Sequence, residues 1–191
     1  MRILQTLTIV LFSFTFLACA INQKIIAEEQ YRGLPYHAPT TQIPPLGVRK
    51  VAAIDLKKML KLAVEDRPLL VDVYGAIFRE ESLDFDGAWL VSTPRKNIPD
   101  SVWLPNVGKE TLNPVIKLYF DNNLKKLTNN DTNKMLVFYC IEDCWMAWNA
   151  AKRAKEWGYV NVLWFREGVD GWKDINEPLE ESEPINLPVN D

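Results

Sequence analysis

The sequence predicts an α/β domain built on a mostly parallel central sheet with helices on both faces. Short apolar runs of strand length alternate with segments of helical period between about residues 48 and 179. Two of the runs, Leu69–Val73 and Met135–Tyr139, are almost continuously apolar, the mark of strands covered on both sides. The connections are short or contain a helix, which suits parallel pairing through crossovers. The chain has 191 residues, of which 48% are hydrophobic and 25% charged, enough to bury one core.

The first helix is read from Leu56, Met59, Leu60 and Ala63, which share a face, with Asp55 as its cap and an end near Val64. Asp66-Arg67-Pro68 stops it before the strand Leu69–Val73. Gly75 to Asn97 is irregular and mixed in charge. Val102–Leu104 is a short strand ended by Pro105. Asn113-Pro114 sets a cap before a proline at the first helical position, starting a helix that runs to about Lys126. Met135–Tyr139 is a buried strand, followed by the loop Cys140-Ile141-Glu142-Asp143-Cys144-Trp145. A helix from about Met146 to Trp157 carries a stripe of Ala147, Ala150, Ala151 and Ala154, which permits close packing on the sheet, and Gly158 closes it. Val162–Phe165 is the last strand.

The ends read differently. Arg2 followed by the uncharged, mostly apolar run Ile3–Ala18 and then small residues reads as a secretory signal over residues 1–19. Ala18-Cys19-Ala20 fits ordinary signal cleavage. Phe16-Leu17-Ala18-Cys19 resembles a bacterial lipobox, which implies lipidation of Cys19, an anchor in the outer membrane and a periplasmic location. Lipidation is the reading preferred here, because it gives the signal's cysteine a use. Residues 20–47, with Pro35, Pro39, Pro44 and Pro45, read as a tether or an extended arm. Residues 180–191 read as a flexible tail.

A net charge of −3 without a basic stripe argues against nucleic acid as a partner. The sole histidine, His37, lies far along the chain from Cys140 and Cys144, so no metal site is expected, although two thiolates alone can hold Cu(I). Trp145, and not His, follows the second cysteine of the loop, which excludes a c-type haem attachment. No cofactor is implied.

The order of these segments resembles a rhodanese domain over about residues 48–179. Leu69–Val73 matches that family's strand ending in Asp, and Asn97-Ile98-Pro99-Asp100-Ser101-Val102-Trp103-Leu104-Pro105 resembles its G-H-I-P-G-A-x-x-I-P element. Gly158-Tyr159-Val160-Asn161-Val162 and Glu167-Gly168-Val169-Asp170-Gly171-Trp172 are similar to two further family elements. The resemblance puts Cys140 at the place of the sulfur-accepting cysteine. The run Cys140–Arg153 is closer still to the exported rhodanese-like proteins called PQQ-dependent catabolism-associated CXXCW motif proteins. It implies a link to quinoprotein alcohol oxidation, with a periplasmic thiol protein or a quinoprotein as partner. Here three residues, not two, separate the cysteines.

A cysteine between a strand and a helix N-terminus meets inward N–H groups and a partial positive charge, which favour its thiolate. Cys140 is therefore the candidate nucleophile and Cys144 the candidate resolving thiol. The pair reads either as a reversible, comparatively oxidising redox couple or as a static bond shaping the loop. Trp145 stands where sulfurtransferases commonly carry Arg, and Glu142 and Asp143 oppose an anionic substrate, so weak thiosulfate cleavage is expected. Trp145 and Trp148 are read either as pocket lining or as packing, and Asp72 either as a marker of the ligand-binding sheet edge or as the cap of the next turn.

Overall fold

In a computed structural model of the chain, residues 30–78, 89–91 and 93–187 are described. In chain order the elements are β1 (Arg49–Lys50), α1 (Ala53–Met59), a 3-10 turn (Val64–Asp66), β2 (Leu69–Asp72), β3 (Ile77–Phe78), β4 (Trp89–Leu90), β5 (Arg95–Asn97), β6 (Val102–Trp103), α2 (Pro114–Leu127), β7 (Leu136–Tyr139), α3 (Trp145–Glu156), β8 (Val162–Phe165), α4 (Gly168–Asp174) and β9 (Glu180–Ser182). Five strands form a parallel sheet in the order β1-β8-β7-β2-β6. Two antiparallel pairs, β3-β4 and β5-β9, stand outside it.

Side-chain alternation along the central strands divides the core in two. Leu136, Phe138, Val162 and Trp164 face the side covered by α2 and α3. Val137, Tyr139, Leu163 and Phe165 face the side covered by α1 and α4. Every residue of β7 and β8 is buried, which is why their sequences are apolar without interruption. The α/β class with helices on both faces is thus the observed architecture.

Local chemistry explains most boundaries. The Asn113 side chain accepts a bond from Ile116 N–H at 2.8 Å, with Pro114 behind it, so α2 starts as expected. Gly158, at φ +95°, ends α3.

Three expectations need correction. Asp55 does not cap α1: the cap position is Ala52, and Asp55 lies inside the first turn, paired with Lys58 at 2.9 Å. The irregular stretch holds β5, whose partner β9 lies far along the chain, beyond the reach of local periodicity. The C-terminal residues 180–187 are not a free tail. β9 pairs with β5, the Ile185 carbonyl accepts bonds from the Trp89 indole at 3.1 Å and the Tyr119 hydroxyl at 2.7 Å, and Leu187 is buried. Their polar composition reflects one exposed face, while main-chain pairing holds the segment in place. Residues 188–191, like the expected signal over residues 1–19 with Cys19, lie outside the described residues. No helix among the described residues is long and apolar enough to cross a membrane.

Candidate functional site

Cys140 leaves the C-terminal end of β7 and is fully buried. Cys144 caps α3 and is joined to it by a disulfide, with Cα atoms 6.1 Å apart. The loop between them turns through Asp143, at φ +52°, a conformation that short polar side chains tolerate. The Cys140 carbonyl accepts a bond from Val169 N–H at 3.0 Å. Gly168, at φ +56°, makes this approach possible: a Cβ there would lie 2.8 Å from the carbonyl carbons of Cys140 and Ile141. The glycine of the sequence element Glu167–Trp172 therefore shapes the cysteine loop from the start of α4.

The charges of Glu142 and Asp143 are paired with a cation. Arg166 is largely buried and pairs with Asp143 at 2.6 Å and Glu142 at 3.6 Å. Asp143 Oδ1 also accepts the Thr40 N–H at 3.0 Å and the Thr40 hydroxyl at 3.1 Å. The bond from the Thr40 backbone, above all, holds the Asp143 carboxyl below the usual carboxylate range against the opposing effect of burial, with the Thr40 hydroxyl and Arg166 adding to it. Repulsion of an anion by this pair is accordingly weaker than the bare sequence implies.

What closes the loop is the proline-rich segment. Residues 31–47 lie along the cysteine loop and α3 as an extended arm. His37 and Cys144 form an antiparallel bridge. Ala38 N–H donates to the Asp143 carbonyl at 3.0 Å, and Trp145 N–H donates to the Tyr36 carbonyl at 2.8 Å. That last N–H belongs to the helix N-terminus where an anion would be cradled, so the arm occupies a donor that a persulfide would use. Asn149, fully buried, accepts the Arg32 N–H and donates to the Arg32 and Gly108 carbonyls. The Trp148 indole donates to Ile43 at 3.1 Å, and Arg32 lies over Trp145 at 5.0 Å. The two tryptophans are thus packing for the arm. Since Cys140 is 0% and Cys144 2% exposed, reagents reach the sulfurs only when the arm or loop moves.

Remoteness in sequence misleads for His37. The bridge to Cys144 brings its imidazole to the cysteines, and one ligand atom from each of His37, Cys140 and Cys144 lies within 4.8 Å of the others. The imidazole stacks on Tyr74 at 5.5 Å. Burial and the nearby Arg95 lower its pKa, which leaves the ring neutral around pH 7.

Asp72 is fully buried at the end of β2 and does not open to a ligand. Its Oδ1 accepts Tyr74 N–H at 2.8 Å, capping the turn, and its Oδ2 pairs with Arg95 at 2.8 Å. Burial pushes this carboxyl above its ordinary value, against the pull of Arg95 and the backbone N–H groups. Arg95 also lies over Tyr74 at 4.3 Å and reaches the Cys140 carbonyl at 3.5 Å. Beside it, at the C-terminal edge of the sheet, is a cleft of about 600 Å³ lined by residues that include Tyr74, Arg95, Lys96, Trp103 and Lys173. It is the position where open α/β sheets bind ligands, and its cations offer an anion partners.

The structure therefore brings Cys140, Cys144, Glu142, Asp143 and Trp145 together in one loop and sets Asp72 behind it through Arg95. Sequence reasoning missed Thr40, Arg95, Asn149 and Arg166, and it placed His37 too far away. Asn149 alone carried a signal, as a polar residue beside an alanine stripe. The pattern for rhodanese-like domains matches residues 55–175. The chain belongs to the rhodanese-like family. This rhodanese-like chain is similar in part to solved structures that are distant in sequence. A thiosulfate sulfurtransferase from Pseudomonas aeruginosa is 14% identical, with a TM-score of 0.47, over 75% of this chain and 22% of that one. A polysulfide-sulfur transferase homodimer from Wolinella succinogenes is 13% identical, with a TM-score of 0.45, over 85% of this chain and 88% of that one. The 3-mercaptopyruvate sulfurtransferase from Leishmania major is 11% identical, with a TM-score of 0.42, over 81% and 41%. This rhodanese-like chain thus spans about a fifth of the first of these proteins. No curated protein matches its sequence. The rhodanese-like fold supports sulfur transfer or thiol chemistry.

Proposed function

We propose that this rhodanese-like chain is an exported thiol–disulfide protein that serves PQQ-dependent alcohol oxidation. The observation that carries the thiol chemistry is the second cysteine inside the loop, bonded to the first. In the reduced state the Cys140 thiolate attacks a partner disulfide, forming a mixed disulfide and releasing one partner thiolate. Cys144 then attacks Cys140 Sγ, closes the internal bond and releases the second partner thiolate. The partner gains two electrons, and this chain loses them. Sulfur transfer uses the same atoms, with a persulfide on Cys140 that Cys144 resolves, but it requires the Trp145 N–H that Tyr36 now engages. The link to quinoprotein oxidation rests on the resemblance of Cys140–Arg153 alone.

Trapping in periplasmic extracts tests the mechanism. Cys144→Ser should accumulate a mixed disulfide through Cys140, and Cys140→Ser much less. Titration in glutathione buffers gives the second readout. A pair still oxidised far below thioredoxin's potential of about −270 mV is a structural bond. That result would favour the alternative reading, a non-catalytic accessory protein of a quinoprotein alcohol dehydrogenase system, which the burial of both cysteines beneath the arm supports. We also propose periplasmic residence through a lipid on Cys19. Cys19→Ser should block anchoring, and an unmodified N-terminus at Ile21 would refute the anchor.

A further inference from the structure

The arm delivers an imidazole to a pair of buried, disulfide-bonded cysteines, and no role in thiol exchange requires it. His37 is exposed on the arm, while Cys140 and Cys144 lie beneath it. Their ligand atoms fall within 4.8 Å of one another. A trigonal site with metal–ligand bonds of about 2.0–2.3 Å sets its ligand atoms roughly 3.5–4 Å apart. Opening the S–S bond is the movement needed to reach that spacing. Among the described residues the cluster has no fourth His, Cys, Asp or Glu, which a closed tetrahedral zinc site would take. Two thiolates and one imidazole are soft ligands in a number that suits a d¹⁰ monovalent ion.

We propose that reduction of the disulfide turns Cys140, Cys144 and His37 into a three-coordinate Cu(I) site. It rests on the reading that the pair can be reduced. An external dithiol supplies two electrons and two protons and becomes a disulfide, leaving two thiols. Binding of Cu(I) displaces both thiol protons, and His37 contributes a lone pair from its neutral ring. The site then carries one net negative charge, which the nearby Arg95 offsets. Stacking of His37 on Tyr74 and the His37–Cys144 bridge hold the ring in place before the ion arrives. Because His37 belongs to the arm, the ion also ties the arm to the loop.

The test uses the full mature chain, reduced with dithiothreitol, desalted without oxygen, and assayed for free thiols before Cu(I) is titrated in competition with bicinchoninate. With two thiols counted, the chain should withdraw one Cu(I), and X-ray absorption should show two sulfurs and one nitrogen. His37→Gln should keep both thiols and lose at least about tenfold in affinity, and Cys144→Ser should lose the competition entirely. Two free thiols without Cu(I) uptake, or His37→Gln binding as tightly as the wild type, would overturn the site and leave the redox reading standing. Failure of dithiothreitol to release any thiol from the folded chain would overturn both.

Discussion

Removing the Asp143 carboxylate should unfasten the arm and expose the disulfide. Three contacts meet on Oδ1: the Thr40 N–H at 3.0 Å, the Thr40 hydroxyl at 3.1 Å and Arg166 at 2.6 Å. The side chain is 35% exposed, so its ion pair contributes only about 0–1 kcal/mol and each neutral donor about 0.5–1 kcal/mol. Arg166 follows β8 and not the arm, so only the two Thr40 bonds stabilise the docked arm, by about 1.5 kcal/mol, a factor of roughly 10 in the equilibrium between closed and open arm. Asp143→Gly is the variant to use, because glycine accepts φ +52° without strain. Where opening is fast relative to attack, the rate of disulfide reduction by dithiothreitol under native conditions follows the open fraction. That rate, read by thiol release, should rise about 10-fold, and Asp143→Asn should fall between the variant and the wild type. The Asp143 pKa is depressed in the fold, so this contact is intact above the ordinary carboxylate pKa and is lost as pH falls through the lowered folded value. In the wild type, the rate corrected for the ionisation of the reductant should therefore stay level down to the ordinary carboxylate range. Equal reduction rates for Asp143→Gly and wild type, within about twofold, would show that the arm does not gate the cysteines.

Three further outcomes follow from the same geometry. Gly168→Ala combines a positive φ with a Cβ placed against the Cys140 and Ile141 carbonyls, so urea unfolding should show a loss of about 2–4 kcal/mol, and a loss below about 1 would contradict the packing described. Arg95→Ala leaves the buried Asp72 carboxylate without its cation and should destabilise by about 3–5 kcal/mol near neutral pH. Burial already raises the Asp72 pKa, so the deficit should shrink as pH falls toward the ordinary carboxylate value, where the group takes up a proton; a deficit independent of pH would refute the assignment. Thiosulfate:cyanide sulfurtransferase activity should be weak in the wild type, because the disulfide and the Tyr36 carbonyl occupy the anion cradle. A rate comparable to that of an ordinary rhodanese would show that the arm leaves the cradle readily.

The sheet was legible because its central strands are buried on both faces, and only apolar residues fit there. Leu69–Val73, Met135–Tyr139 and Val162–Phe165 announce themselves for this reason, as do Asn113-Pro114 and Gly158 at helix ends. Among the short edge elements β6 was read, as Val102–Leu104 ended by Pro105, but β1 has two residues, below any period, and β9 is defined only by its partner β5. The cysteine loop was read from position and residue type. Its surroundings were not, because Thr40, His37 and Arg32 act through main-chain bridges formed across most of the chain's length. Such contacts follow from geometry that no local pattern encodes. The acidic pair was judged by charge alone, because its partner Arg166 lies 23 residues from Asp143 along the chain.

The arm's placement also sets an order of events during synthesis. Its anchors lie 103 residues away at Asp143 and 117 at Asn149, so the arm emerges first and has nothing to dock on until α3 exists. Contacts that close so long a loop form late, after local helices and strands have gathered. Cys140 and Cys144, four residues apart, meet early by comparison. A catalyst of disulfide formation therefore has its opening during maturation, before the arm descends. The finished chain then keeps the oxidation state it acquired at that time, sealed under its own N-terminal segment until something lifts it.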